Sequence, residues 1–206
     1  MTRRGSMARS TEGRSKLPAG DLARIAAFAA FIAVLGLPGA FTLFGNSVPV
    51  TLQSMGPLLA GAILGARRGA LSVILLLALV AAGMPLLAGG RGGLGVFAGP
   101  SVGYLIGWVA AAFVAGLIVE RSGRRPGTHW VLIACLLGSA TTLAVGIPVQ
   151  AAVSGVPLAE TFRLALAFVP GDTAKAIVAA LVAAGAQRAY PDAAPAAWRE
   201  RIDGRS

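Results

Sequence analysis

Long blocks of apolar residues, broken by Gly/Pro turns and short clusters of arginine, constrain this chain more than any other feature of its sequence. Scattered amphipathic helices leave a periodic pattern, with polar residues returning every three or four positions, and these blocks do not show it. Composition agrees. The 206 residues are 56% hydrophobic and 13% charged, against roughly 45–50% and about 25% in a soluble domain. The expectation is a single all-α integral membrane domain, with no length left for a second one.

Six transmembrane helices are expected, at about 21–37, 50–66, 70–87, 101–119, 130–149 and 173–187. Several fall short of the ~20 residues that cross a bilayer upright, so tilting or half-spanning segments must make up the difference. Pro49 and Pro57 should bend or delay the second helix. The apolar stretch 164–169, just before Pro170-Gly171, reads as a re-entrant or surface helix. Residues 1–20 form a polar, basic arm without the apolar run of a secretory signal peptide, residues 21–189 the membrane domain, and residues 190–206 a tail.

The net charge of +10 is placed for membrane orientation rather than for nucleic acid. Arg3, Arg4, Arg9, Arg14, Lys16 and Arg24 lie at the start. Arg67 and Arg68 follow the second helix, Arg121, Arg124 and Arg125 the fourth, and Arg188, Arg199, Arg201 and Arg205 the sixth. Of the 18 basic residues, only Arg91, Arg163 and Lys175 stand elsewhere. That asymmetry is what the positive-inside rule produces for an even number of spans, and it puts both termini in the cytoplasm. No basic run is interleaved with aromatics, as a nucleic-acid groove would need.

Small residues set the packing. Gly61-x-x-x-Gly65 and Gly103-x-x-x-Gly107 allow backbones to meet closely. Ala23, Ala26, Ala27, Ala30 and Ala33 give the first helix a smooth face, suited equally to the bundle interior or to another protein.

Charges at membrane depth are costly, at least about 2.5–3.5 kcal/mol each on insertion scales, and this makes Asp172 and Lys175 conspicuous. Three residues apart, they share one face of the last helix. One reading has Asp172 capping that helix and Lys175 neutralising it. The other has the pair lining an outward cavity, the carboxylate accepting N–H groups and the ammonium donating to a carbonyl, as a urea-like ligand would require. Residues 88–100 hold six glycines and one charge, Arg91. That loop either folds its amides around a ligand, with Arg91 gripping a carboxylate, or forms an external hairpin with a solvated arginine. Gly90-x-Gly92-x-x-Gly95 also fits the dinucleotide fingerprint, but without the βαβ setting which that fingerprint needs. Gln53, Gln150 and Tyr104, near the outer span ends, suit a ligand or a hydrogen bond across helices. The lone His129 and the lone Cys135 provide neither a metal cluster nor a nucleophile–base pair nor a disulfide. The remaining carboxylates sit at span ends or in tails. No Walker motif is present, so this chain does not hydrolyse ATP.

Taken together, these residues resemble the BioY family, the biotin-specific S components of energy-coupling factor transporters. The motifs that carry the resemblance are Val48-Pro49-Val50-Thr51-Leu52-Gln53, Gly61 to Gly65, Arg67-Arg68-Gly69-Ala70 and Gly83-Met84-Pro85. The glycine-rich run from Gly89 to Gly95 follows, then Gly99-Pro100-Ser101-Val102-Gly103-Tyr104 and Pro170-Gly171-Asp172-x-x-Lys175. They span about residues 23–186. The resemblance implies a non-enzymatic six-helix subunit of the bacterial plasma membrane that captures biotin from outside. Asp172 and Lys175 would engage the ureido ring. Gly89, Gly90, Arg91, Tyr104 and Gln53 would complete the site, with Arg91 and Tyr104 toward the valerate tail. No cofactor is implied beyond biotin as transported ligand. The implied partners are the lipid bilayer and an energy-coupling module of two ATPases and a membrane scaffold. An S component for another vitamin, or a structural subunit without a ligand, would share the same architecture.

Overall fold

The computed structural model describes residues 18–41, 47–123 and 126–189. Most of the basic arm, the tail, and Arg124 and Arg125 lie outside the described residues. Seven α-helices are present among those described: α1 (Ala19–Val34), α2 (Met55–Leu64), α3 (Ala66–Ala81), α4 (Val102–Arg121), α5 (Thr128–Ser154), α6 (Leu158–Ala165) and α7 (Val169–Ala189). A 3-10 turn, Leu52–Ser54, leads into α2, and another, Leu166–Phe168, joins α6 to α7. Only isolated bridges, Phe41 with Val50 and Leu87 with Arg91, represent β structure among the described residues.

Helix boundaries follow from local chemistry. Pro57 stands in the first turn of α2, where its missing N–H has no partner to lose, so the helix runs through it unbroken. The delay lies further upstream, as extended backbone and a 3-10 turn. α3 starts before the arginine pair, directly after Gly65, and ends ahead of Gly83 and Pro85. α7 starts earlier than the Pro170-Gly171 pair suggests, because Pro170 is again tolerated in a first turn. Asp172 therefore sits inside the first turn, near the positive end of the helix dipole, and is not the residue that caps it.

Among the described residues, three helical stretches are long and apolar enough to cross a membrane: Val102–Arg121, Thr128–Ser154 and the run Leu158–Ala189. The 16 residues each of α1 and α3 span about 24 Å at 1.5 Å per residue. The outward face of α7 exposes Ile177, Val178, Leu181 and Val182, an apolar surface suited to lipid and not to water.

α4 is central. Small residues let α2 and α5 approach it on two sides: a Cβ on Gly61 of α2 would collide with the Ala112 carbonyl of α4, and one on Gly107 of α4 would stand 2.9 Å from the Thr142 carbonyl of α5. Both glycine pairs read from the sequence thus lie at helix contacts. One apolar core joins α2, α4, α5 and α7 around Leu58, Ala111, Ala115, Ala134 and Ala179. A second joins α1, α3 and α4 around Ile32, Val73, Leu76 and Ala112. α1 inserts Ile25, Ala29 and Ile32, while Ala23, Ala26, Ala27 and Ala30 face outward.

At the end of the bundle where α1 begins, polar links tie the helices together. Arg68 on α3 pairs with the buried Asp21 of α1 at 2.8 Å. Glu120 on α4 accepts from the Ala66 N–H at the start of α3, 3.0 Å away, which suits an anion at a helix N-terminus. Gln187 on α7 donates to the Ala62 carbonyl at 2.9 Å. The starts of α1, α3 and α5 and the ends of α2, α4 and α7 meet here, together with Arg24, Arg67, Arg68, Arg121 and Arg188. The opposite end carries the chamber described next.

Candidate functional site

The segment entering α2, the loop before α4, and the starts of α4 and α7 enclose a chamber. Its polar lining includes Thr51, Gln53, Ser54, Arg91, Asp172 and Lys175. Its apolar wall is Val48, Leu105, Trp108 and Phe168, with Tyr104 between the two. The free volume is about 60 Å³, below the roughly 300–1,000 Å³ usual for small-molecule pockets. A bicyclic ligand therefore enters only as lining side chains give way.

The charged floor comes from α7. Lys175 Nζ lies 2.6 Å from Asp172 Oδ1, and both side chains are mostly shielded. The spacing i, i+3 brings them together on one face, as expected. The lysine also reaches across to the segment before α2, donating to Ser54 Oγ at 2.8 Å and to the Thr51 carbonyl at 3.1 Å. An ammonium has three protons, and all three have acceptors here. A ligand carbonyl must replace one of them.

Opposite, Tyr104 donates to Gln150 Oε1 at 2.8 Å, a bond between α4 and α5. Its ring meets Phe168 edge to face, with centroids 6.1 Å apart. Tyr104 is thereby locked as a wall of the chamber.

The glycine-rich loop supplies the rim. Leu87 and Arg91 bond reciprocally through their backbones at 3.0 and 3.1 Å. The turn between them needs left-handed residues at Gly89 and Gly90, with φ of 78° and 70°. Arg91 Nε donates to the Ala88 carbonyl at 3.2 Å, and Nη1 lies 3.5 Å from Ser101 Oγ. Half-burial draws the guanidinium pKa down by desolvation, though an arginine keeps its charge.

Arg91, Tyr104, Gln53, Asp172 and Lys175 thus line one chamber. Gly89 and Gly90 do not. They line a neighbouring apolar recess between the end of α1 and the loop, with Leu37, Pro85 and Leu87. Their contribution to the chamber is the turn that brings Arg91 back over it. Thr51 and Ser54 as lysine acceptors, Ser101 beside Arg91, and the apolar wall of Trp108 and Phe168 carry no signal of their own in the sequence. A backbone carbonyl such as that of Thr51 leaves no mark in a sequence. Trp108 and Phe168 look like any other apolar residue of a span.

Comparison with known proteins adds independent information. Residues 7–192 match the model of the BioY family. The biotin transporter BioY of Rhizobium etli is 44% identical over 177 residues, which cover 83% of this chain and 95% of the relative. That of Rhodobacter capsulatus is 48% identical over 172 residues, covering 77% and 88%. Among solved structures, the crystal structure of the S-component for biotin from an ECF-type ABC transporter superposes with a TM-score of 0.77 at 31% identity. The match covers 86% of this chain and 95% of that one.

Proposed function

Since this chain belongs to the BioY family, we propose that the chamber is a biotin site and that the protein is the biotin-capturing membrane subunit of a vitamin transporter. It is a transport protein, not an enzyme, and biotin is its cargo. The observation that carries the reading is the shielded Asp172–Lys175 pair facing an apolar chamber. A cyclic urea presents two N–H donors and one carbonyl acceptor, the complement of a carboxylate beside an ammonium. The sulfur-bearing ring suits the wall of Trp108, Tyr104 and Phe168, and the carboxylate tail suits Arg91 at the rim.

The same proposal extends to topology. The membrane domain comprises residues 21–189, with the basic arm 1–20 and the tail 190–206 in the cytoplasm of a bacterial cell. α1, the segment through α2, α3, α4, α5 and α7 cross its plasma membrane, and α6 is a short element at the outer face. The basic residues at one end and the chamber at the other support this orientation. Uphill transport requires an energy-coupling module, here two ATPases and a membrane scaffold.

Equilibrium binding to purified protein tests the reading directly. Biotin should bind, and pantothenate and riboflavin should not. Retention of another vitamin in place of biotin, or of none, overturns it.

A further inference from the structure

Gln53 was expected to touch the ligand, but its amide is engaged elsewhere. Nε2 donates to the Leu86 carbonyl at 2.9 Å, and Oε1 accepts from the Ala88 N–H at 3.0 Å. The residue is 1% exposed, so both polar ends are spent on backbone groups flanking Leu87. Leu87 is also the foot of the turn that returns at Arg91. Ala88 continues the connection, because its carbonyl accepts from Arg91 Nε. A chain of bonds therefore runs from Gln53 through Ala88 to the guanidinium.

The residues on either side of Gln53 point to the other charge. Thr51 and Ser54 accept from Lys175. One short segment thus holds the ammonium of α7 through its neighbours and the loop arginine through its central amide. The turn after α1 closes on this clamp from behind: a Cβ on Gly36 would stand 3.1 Å from Gln53 Nε2 and 3.2 Å from Ala88 N.

We propose that Gln53 is a positioning residue which sets the separation of Arg91 from Lys175, and hence the tail length of the carboxylate ligand that the chamber accepts. The proposal rests on the biotin reading and adds to it a determinant of specificity that does not contact the ligand. A buried amide suits this task, because its donor and acceptor hold the backbone on both sides of Leu87 in one register. Apolar packing alone would let the loop slide.

The test compares biotin, biotin amide and the homologue one methylene longer, binding to purified full-length protein. Gln53→Met keeps the volume and removes both bonds. It should weaken biotin at least tenfold, leave biotin amide within about threefold, and erase the preference for biotin over its longer homologue. In an Arg91→Ala background it should cost nothing further, since positioning acts through the arginine. Additive losses would mean that Gln53 contacts the ligand, and equal losses for biotin and its amide would mean general unfolding of the site. Either result overturns the proposal. Gly36→Ala, which crowds the clamp without altering Gln53, should reproduce the same pattern and stands in if Gln53→Met does not fold. Amide exchange across residues 86–91 in ligand-free protein supplies a readout independent of biotin. It should accelerate at least tenfold in Gln53→Met, and unchanged exchange overturns the clamp. If the parent protein binds no biotin, the functional reading fails, while the exchange arm still decides whether the clamp exists.

Discussion

Lys175 Nζ and Ser54 Oγ, separated by 121 residues in sequence, lie 2.8 Å apart and join α7 to the segment before α2. Together with Asp172 and the Thr51 carbonyl, Ser54 occupies the full donor capacity of the lysine. A ligand urea oxygen can bond Lys175 only by displacing one of the three. Ser54 is the partner most readily displaced, because a hydroxyl rotates away while a backbone carbonyl does not. Ser54→Ala should therefore strengthen biotin binding, by up to about tenfold given the ~1.5 kcal/mol of a hydrogen bond to a charged group. Calorimetric titration measures this. A loss greater than tenfold would show that Ser54 itself holds the ligand.

Asp172 and Lys175 should respond unequally to mutation. Asp172→Asn keeps the shape and an acceptor, and should lower biotin affinity at least tenfold, about 1.4 kcal/mol. Lys175→Ala should lower it further, because it leaves a shielded carboxylate without its partner. Both variants should insert and fold, which elution as a single species in detergent would establish. If both bind biotin like the parent, the site lies elsewhere.

How much of this was legible in the sequence depended on the chemistry of each residue. Asp172 and Lys175 were visible because an apolar helix had no other use for two charges. Their geometry followed from the i, i+3 spacing. Arg91 was visible as the lone charge in a glycine-rich loop. Gln53 was visible as a polar residue at a span end, but the partners of its amide, the Leu86 carbonyl and the Ala88 N–H, are backbone groups that composition does not reveal. α6 escaped in part: only its downstream end and the turn after it fall in the apolar stretch 164–169. Glu160 and Arg163 interrupt the hydropathy of the rest. The start of α7 was misplaced because Pro170-Gly171 resembles a break, while a first turn tolerates both residues. The orientation of α1 could not be read at all, because alanines occur on both of its faces and only Ile25 and Ile32 mark the buried one.

The Asp21–Arg68 pair offers a stability test away from the site. Asp21 is 6% exposed, and its bond to Arg68 joins the first turn of α1 to the first turn of α3. Arg24 stands further off, at 4.0 Å. Removing one partner of a buried pair leaves an uncompensated charge, at a cost of about 3–5 kcal/mol. Asp21→Asn should thus lower the thermal midpoint in detergent and leave biotin affinity within about threefold, because the chamber lies at the opposite end of the bundle. Adding Arg68→Met should recover part of the lost stability. An unchanged midpoint in Asp21→Asn would show that the pair is exposed to water and contributes little.

Transport against a gradient sets the final requirement. The chain contains no Walker motif, and among the described residues Asp172 is the only acid lining the chamber, so these supply no series of carboxylates to relay protons or sodium through it. On the proposed function energy arrives through a partner, and a partner in the membrane needs a surface on which helices meet closely. On α1, the residues committed to the bundle are Ile25, Ala29 and Ile32, while Ala23, Ala26, Ala27 and Ala30 form an exposed strip of short side chains. We therefore place the docking surface for the energy-coupling module on that strip. Ala26→Trp combined with Ala30→Trp should abolish biotin uptake in cells that supply the module. Biotin affinity of the isolated subunit should stay within about threefold, because neither position reaches the chamber. Loss of biotin binding would mean that the strip supports the bundle after all. Undiminished uptake would place the partner on another face.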